Sequence, residues 1–188
     1  SRLQPSYSPQ NTSEMKQRGR LIRDTLVSEI AIRKPMLQEA LSEYGQDFDV
    51  EGSDGKGRKT EAPWVRFYSK SMSPTPREGY YFVIHFSRDG RFVFLTVGCG
   101  STIWENGSLR PVPKNELAKK VQIARKQIVN VFGSLGSYED EIHLGAKANL
   151  PKIFERATAS AKRIAVDALE TVNLEELLKE GALQLRSV

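Results

Sequence analysis

"GYYFVIHFSRDGRFVFLTVG", residues 79–98, is the stretch that decides the fold of this chain. Two runs rich in aromatic and β-branched residues, 79–87 and 91–98, predict strands, because such side chains favour the extended backbone of a sheet. The short RDG sequence between the runs is typical of a tight turn. A third run of the same kind lies at 63–69, so the three strands predict an antiparallel meander.

Helical periodicity flanks the predicted strands on both sides. The predicted helices span 14–33, 35–44, 114–132, 151–169 and a last short segment from a cap at Asn173 to Gly181. The other predictions are loops at 45–62 and 71–78, a short strand at 141–144, a flexible lead at 1–13 and a single domain over 14–188. The predicted fold class is therefore α+β, with a small antiparallel sheet of the meander or hairpin type packed with N- and C-terminal helices.

The composition is that of an ordinary globular protein. The 188 residues are 39% hydrophobic, enough to bury a core without a covalent staple. A single cysteine, Cys99, excludes a disulfide framework and predicts a reducing, cytoplasmic setting. The sequence has no apolar run of membrane-spanning length and no signal-peptide core, so a membrane is not among the predicted partners.

The net charge of +5 is unevenly distributed. Residues 110–126 alone hold six basic residues and one acid, and two smaller basic clusters lie within 16–23 and 56–66. A single cluster of this kind is commonly just a solvated surface. Three together favour a polyanionic partner such as nucleic acid.

The segment "EGSDGKGRKTEAPW", residues 51–64, suggests either a nucleotide-binding loop or a loop that grips nucleic acid. The P-loop pattern fails, because Arg58 follows Gly57 where the pattern needs a lysine, and Pro63 blocks the helix that would have to follow. A basic loop around a glycine can instead bring its backbone close to a DNA phosphate. The residues predicted to contact DNA in this way are Lys56, Gly57, Arg58, Lys59 and, beyond the loop, Arg66.

The residues that most often carry catalysis are sparse here. His85 and His143 have no Cys or His at metal-ligand spacing, so no metal site is predicted, and no cofactor is predicted either. Cys99 lies between two glycines and is better explained as a small turn residue than as a nucleophile. The acidic run 139–141 is explained by a turn before a strand. The chain is therefore predicted to lack catalytic activity of its own.

Trp64 allows two interpretations. An indole is a good stacking platform for a nucleobase, at about 1–3 kcal/mol per stacked base. A tryptophan after a proline at the start of a strand can equally be a core aromatic. Strand alternation places Tyr81, Val83 and His85 on one face of the sheet, and this more polar face is predicted to line the site.

The order of these motifs resembles the MrcB-like N-terminal domain family. The resemblance is carried by Gly55-x-Gly57, "APWVRF" (62–67), "EGYYFVIHFS" and "DG" (78–90), "LTVG" (95–98) and, more weakly, residues 142–165. Each motif alone has little specificity, but their order and spacing are more specific. They cover most of residues 15–180.

The resemblance implies a domain that reads modified double-stranded DNA for a fused or partner nuclease in a restriction system. In the McrB member of the family, a methylated cytosine is flipped into a pocket. By position, Trp64 matches a wall of that pocket, whereas Lys56 and His85 stand where that member has a tyrosine and a leucine. A lysine cannot stack as a ring does, and a histidine offers hydrogen bonds in place of aliphatic contact, so the pocket is expected to differ.

The sequence thus predicts a cytoplasmic, non-catalytic DNA-recognition domain over 14–188. Trp64, Tyr81 and His85 are predicted to contact the modified nucleobase, and the basic residues of 56–66 are predicted to contact the DNA backbone. Three alternatives stay open. The domain can bind DNA without specificity for a modification, it can be a protein-interaction module of a defence complex that uses the cations against an acidic partner, or it can be a small hydrolase. The last would need Cys99 or a carboxylate from 139–141 near a histidine.

Overall fold

A five-stranded antiparallel sheet forms the centre of the fold in this computed structural model, which describes residues 2–188. In the order in which they lie side by side, its strands are β1 Phe48–Ser53, β2 Trp64–Ser69, β3 Tyr80–Phe86, β4 Phe92–Cys99 and β7 Thr158–Ala165. A separate two-stranded ribbon consists of β5 Thr102–Glu105 and β6 Ser108–Pro111. The α+β class and the meander β2-β3-β4 are confirmed.

Among the described residues, three helices precede the sheet in the sequence, two lie between β4 and β7, and one follows β7. They are α1 Ser13–Arg20, α2 Leu26–Ile32, α3 Lys34–Leu41, α4 Lys114–Phe132, α5 Asn149–Arg156 and α6 Leu174–Arg186, with a π-helical turn Leu21–Thr25 joining α1 to α2. The predicted cap at Asn173 is confirmed, since its side chain accepts a hydrogen bond from the amide of Glu176. Within residues 2–188, no helix is both long and apolar enough to cross a membrane.

The predicted helix over 151–169 is wrong in its second half. The chain is helical only to Arg156 and then forms β7, which pairs with β4 along its length. Alanines at 157 and 161 fit a helical period but are small enough for a strand as well, and the open edge of β4 offers a full row of hydrogen-bond partners. Pairing in the folded state therefore overrides local propensity.

Three further predictions differ from the structure. β1 lies inside the segment predicted as a loop, because its acidic residues conceal the alternation of Phe48 and Val50. The strand predicted at 141–144 is irregular backbone. The last helix continues past Gly181 to Arg186, because this glycine serves close packing: a Cβ there would overlap the ring of Phe82.

The two faces of the sheet have different surroundings. One face carries Val65, Phe67, Phe82, Ile84 and Leu95 and packs under the helices in the main core. We call the other the Trp64 face; it carries Glu51, Ser53, Trp64, Arg66, Tyr68, Tyr81, Val83, His85 and Phe94. The predicted alternation of Tyr81, Val83 and His85 against Phe82 and Ile84 is confirmed.

The N-terminal segment contacts the domain at Gln4. This side chain is buried, and its amide donates hydrogen bonds to the carbonyls of Glu61 (3.0 Å) and Ser87 (2.9 Å). Its carbonyl accepts a hydrogen bond from the buried Arg18 at 2.7 Å. The flexible lead at 1–13 stays a prediction, and its first residue lies outside the described ones.

Candidate nucleic-acid interface

Trp64 lies on the Trp64 face, at the beginning of β2, between Ser53 of β1 and His85 of β3. Its indole is partly exposed and packs against a small cluster of buried side chains, Tyr68, Tyr81 and Val83. The hydroxyl of Tyr81 shares its proton between the carbonyls of Pro76 (3.0 Å) and Cys99 (3.1 Å), so this ring is held in place. Trp64 therefore has a rigid aromatic support on one side and solvent on the other.

Arg66 is buried within the Trp64 face, with a relative exposure of 1%. Its Nε donates to the carboxylate of Glu51 at 2.7 Å, its Nη1 donates to the Ser73 hydroxyl at 2.9 Å, and its guanidinium lies 3.7 Å from the ring centre of Tyr68. The phosphate contact predicted for Arg66 would require it to leave these partners. In this arrangement it instead ties the loop 70–79 to the aromatic support of Trp64.

His85 is buried next to Trp64 and stacks on Phe154 of α5, with ring centroids 5.7 Å apart. Its Nδ1 has no hydrogen-bond partner among residues 2–188. Burial lowers the pKa of His85 to about 3, so the imidazole is neutral at physiological pH. His85 lies on the predicted face of the sheet, next to Trp64. It is buried, however, so it is not exposed to a ligand in this structure.

We expect the stability of the domain to decrease as the pH falls from 7 to 5. The unfolded chain protonates His85 near pH 6.5, whereas the folded chain resists protonation down to about pH 3. The free energy of unfolding should therefore fall by about 2 kcal/mol between pH 7 and pH 5. Urea unfolding at several pH values measures this.

The matched variants for this test are His85→Leu and His143→Gln. His143 is exposed, so His143→Gln should keep the pH dependence, whereas His85→Leu should remove it. If His85→Leu keeps the same decrease, the buried imidazole is not its source.

The glycine loop 54–60 connects β1 to β2 at the end of the sheet where Trp64 begins its strand. The buried Asp54 holds this loop: it pairs with Lys59 at 2.6 Å and with Arg23. Burial, followed by the charges of Arg23 and Arg18, lowers the pKa of Lys59. Lys59 is therefore committed to the loop's own structure. A strand, not a helix, follows the loop, which agrees with the rejection of a P-loop.

The tip of this loop is different. Lys56, Gly57 and Arg58 are exposed, and Gly57 has a φ of +73° with open space around the position a Cβ would occupy. Gly55 has a φ of +102°, and a Cβ there would overlap the carbonyl oxygen of Arg58, so the tight turn requires a glycine. The structure thus presents two cations on either side of an accessible backbone.

The candidate catalytic residues are not brought together. Cys99 is buried, and burial raises the pKa of its thiol to about 11, so it is not an activated nucleophile. Glu139 and Asp140 are exposed and pair with Arg163 and Arg125. Among residues 2–188, no three His, Cys, Asp or Glu side chains are grouped as metal ligands.

One buried side chain near Trp64, Glu61, could not be recognised from the sequence as a structural residue. Glu61 is buried and accepts hydrogen bonds from the amides of Lys147 (2.7 Å) and Ala148 (2.8 Å), and it pairs with Arg88. Burial alone raises the pKa of Glu61, but these hydrogen bonds and Arg88 outweigh it and lower the pKa. Glu61 thereby fixes the segment 142–148 beside α5. The only sequence signal for this contact is the weak family motif in 142–165.

The basic clusters divide between structural and exposed residues. In 16–23, Arg18 is buried and Arg23 pairs with Asp54, which leaves Lys16 and Arg20 exposed. Most of the 110–126 cluster belongs to α4, whose side chains Leu117 and Ile128 place it on the main-core side of the sheet. The cations of α4 therefore lie on the opposite side of the sheet from Trp64.

The structure contains two hollows beside the candidate site. A cavity of about 280 Å³ lies between the N-terminal segment and α1, lined by Gln4, Arg18, Ile22, Pro63 and Phe86 among others. A second, of about 250 Å³, is lined by Arg88, Asp89, Gly145 and Lys147. Neither hollow is lined by Trp64.

Comparison with known families gives a clear result. The model of the MrcB-like, N-terminal domain family matches residues 2–181, nearly the whole chain. The chain belongs to this family. Comparisons with curated proteins and with solved structures gave no match.

Proposed function

We propose that this domain binds double-stranded DNA and recognises a modified base by holding it, flipped out of the duplex, against Trp64. It does so as the specificity domain of a modification-dependent restriction system in the cytoplasm, without catalysis of its own, for a fused or partner nuclease. Membership of the MrcB-like N-terminal domain family supports the class of function. The support for the site is the partly exposed Trp64 on a fixed aromatic floor.

Stacking on Trp64 offsets part of the free-energy cost of flipping the base. Flipping a base costs a few kcal/mol, which stacking and edge contacts must offset. Trp64 supplies a stacking surface of about 1–3 kcal/mol. The half-exposed carboxylate of Glu51 lies on the neighbouring strand, diagonal to Trp64, and can accept a hydrogen bond from an exocyclic amine of the base.

The exposed tip of the glycine loop supplies the contacts with the DNA backbone. Lys56 and Arg58 are predicted to neutralise phosphates while the backbone at Gly57 approaches the strand. Lys59 and Arg66 act indirectly in this proposal, because each is already bound to a carboxylate of the domain. His85 supports the floor behind the base.

The double substitution Lys56→Ala/Arg58→Ala is expected to weaken the binding of all duplexes by the same factor. Each lost phosphate contact should also reduce the slope of log affinity against log salt by about one, so the total reduction is about two. Fluorescence anisotropy over a salt series measures both. The control, Lys34→Ala/Lys179→Ala, removes two exposed lysines from α3 and α6 and should leave the slope unchanged.

Two outcomes would contradict these roles. An unchanged salt slope would remove the loop tip from the interface. Absence of binding to any duplex at low salt would favour the alternative, a protein-interaction module that uses the same cations against an acidic partner.

A further inference from the structure

The ribbon β5–β6 extends outside the main sheet and has no evident structural task. Its strands pair with each other through a two-residue turn, Asn106-Gly107, in which both residues have positive φ. Every residue from 103 to 111 is exposed. A two-stranded hairpin alone is only marginally stable in water, so this one gains from a surface that covers it.

The ribbon carries large apolar side chains in solvent. Trp104 is 63% exposed and pairs across the strands with Leu109, which is 46% exposed. Ile103, 39% exposed, pairs with Arg110. Successive side chains of a strand point to opposite faces, so Trp104 and Leu109 share one face of the ribbon and Ile103 lies with Arg110 on the other. An exposed pair of large apolar side chains on a projecting element is a typical binding surface.

The charge beside the ribbon favours a polyanion. The two acids of this region, Glu105 and Glu116, are each paired with a cation, Arg110 and Lys120 respectively. In the described part of the chain, Lys114 and Lys119 at the start of α4 are exposed and form no ion pair. The major groove of DNA matches both features, because it is lined by negative charge and admits a two-stranded ribbon.

We propose that the ribbon is a second DNA contact: it enters a groove of the duplex, with Trp104 and Leu109 against the bases and Arg110 on a phosphate. This rests on the proposed function, since the duplex is the same. The row of Trp64, His85 and Phe94 lies five residues from Cys99, where the chain leaves β4 for the ribbon. That is about 17 Å along the strands, the length of about five base pairs. The second contact anchors the duplex without reading its modification.

The two tryptophans of the chain make a direct test possible. In the variant Trp64→Phe, Trp104 is the only indole, and its fluorescence should be quenched when plain duplex DNA is added. Trp104→Ala should lower the affinity for modified and plain duplex by the same factor, about fivefold to tenfold, and keep their ratio unchanged. The control Phe132→Ala removes an aromatic of 46% exposure at the far end of α4 and should have no effect.

The results separate this inference from the proposed function. Quenching of Trp104 without any preference for modified duplex would support the ribbon contact and contradict base recognition. A different set of results would overturn the ribbon contact alone. In that case the domain still prefers modified duplex, the fluorescence of Trp104 does not change when DNA is added, and Trp104→Ala binds DNA with unchanged affinity. Self-association that Trp104→Ala abolishes, with unchanged DNA affinity, would assign the ribbon to a protein contact and also overturn it.

Discussion

Replacing Trp64 by alanine is expected to remove most of the preference for modified over plain duplex. The indole is the stacking partner of the flipped base in the proposed complex, and such a contact contributes about 1–3 kcal/mol. The ratio of the two affinities should therefore fall by about fivefold to 150-fold. Because Trp64 is only partly buried, the fold should tolerate the change.

The measurement is a competition between otherwise identical duplexes that carry plain, methylated, hydroxymethylated, glucosylated or phosphorothioate groups. Trp64→Phe is the conservative variant and should retain part of the preference, because a phenyl ring still stacks. Trp104→Ala is the matched control, since the proposed ribbon contact changes both affinities together. If Trp64→Ala weakens modified and plain duplex equally, Trp64 is not the wall that holds the base.

The fold was predictable where side-chain chemistry decides it locally. The aromatic and β-branched runs at 79–98 predict β3 and β4, and the structure has both. β7 was not predictable, because alanines and one isoleucine suit a helix as well as a strand, and the free edge of β4 decides between them. β1 was missed for a similar reason: Phe48 and Val50 are its only large apolar residues, and it is recognisable as a strand only beside β2.

The candidate site was predictable in its aromatic part only. Alternation along β3 correctly predicts that Tyr81 and His85 share a face, since a strand has a period of two. Which basic residues are buried could not be predicted, because their partners are distant in the sequence or belong to β1, which was not predicted as a strand. Arg66 is buried because Glu51 lies opposite it in β1 and Ser73 folds back over it. From the sequence alone, a basic residue that is buried by such partners cannot be distinguished from an exposed one.

The substitution Arg66→Ala is expected to cost about 3 kcal/mol of stability. It removes hydrogen bonds from a charged donor to Glu51 and Ser73 and the stacking on Tyr68. Part of the gross loss is recovered, because the carboxylate of Glu51 is half-exposed and water can solvate it. Chemical denaturation measures the loss.

The matched control is Lys70→Ala. Lys70, the residue after β2, pairs with Asp49 of β1 at 3.1 Å, but both side chains are exposed. That change should cost less than about 1 kcal/mol. Arg66→Lys separates charge from geometry: a lysine keeps the charge but cannot stack or form the same fork of hydrogen bonds, so most of the loss should remain.

The same variant decides between the two roles of Arg66. If Arg66 fixes the loop 70–79 and the floor of Trp64, Arg66→Ala should lose stability together with the preference for modified duplex. If Arg66 becomes a phosphate contact in the complex, as the sequence alone suggests, the variant should weaken all duplexes alike, reduce the salt slope by about one and keep the preference for modified duplex. The second result would mean that the guanidinium leaves Glu51 and Ser73 when DNA binds, and that the Trp64 face rearranges around the duplex.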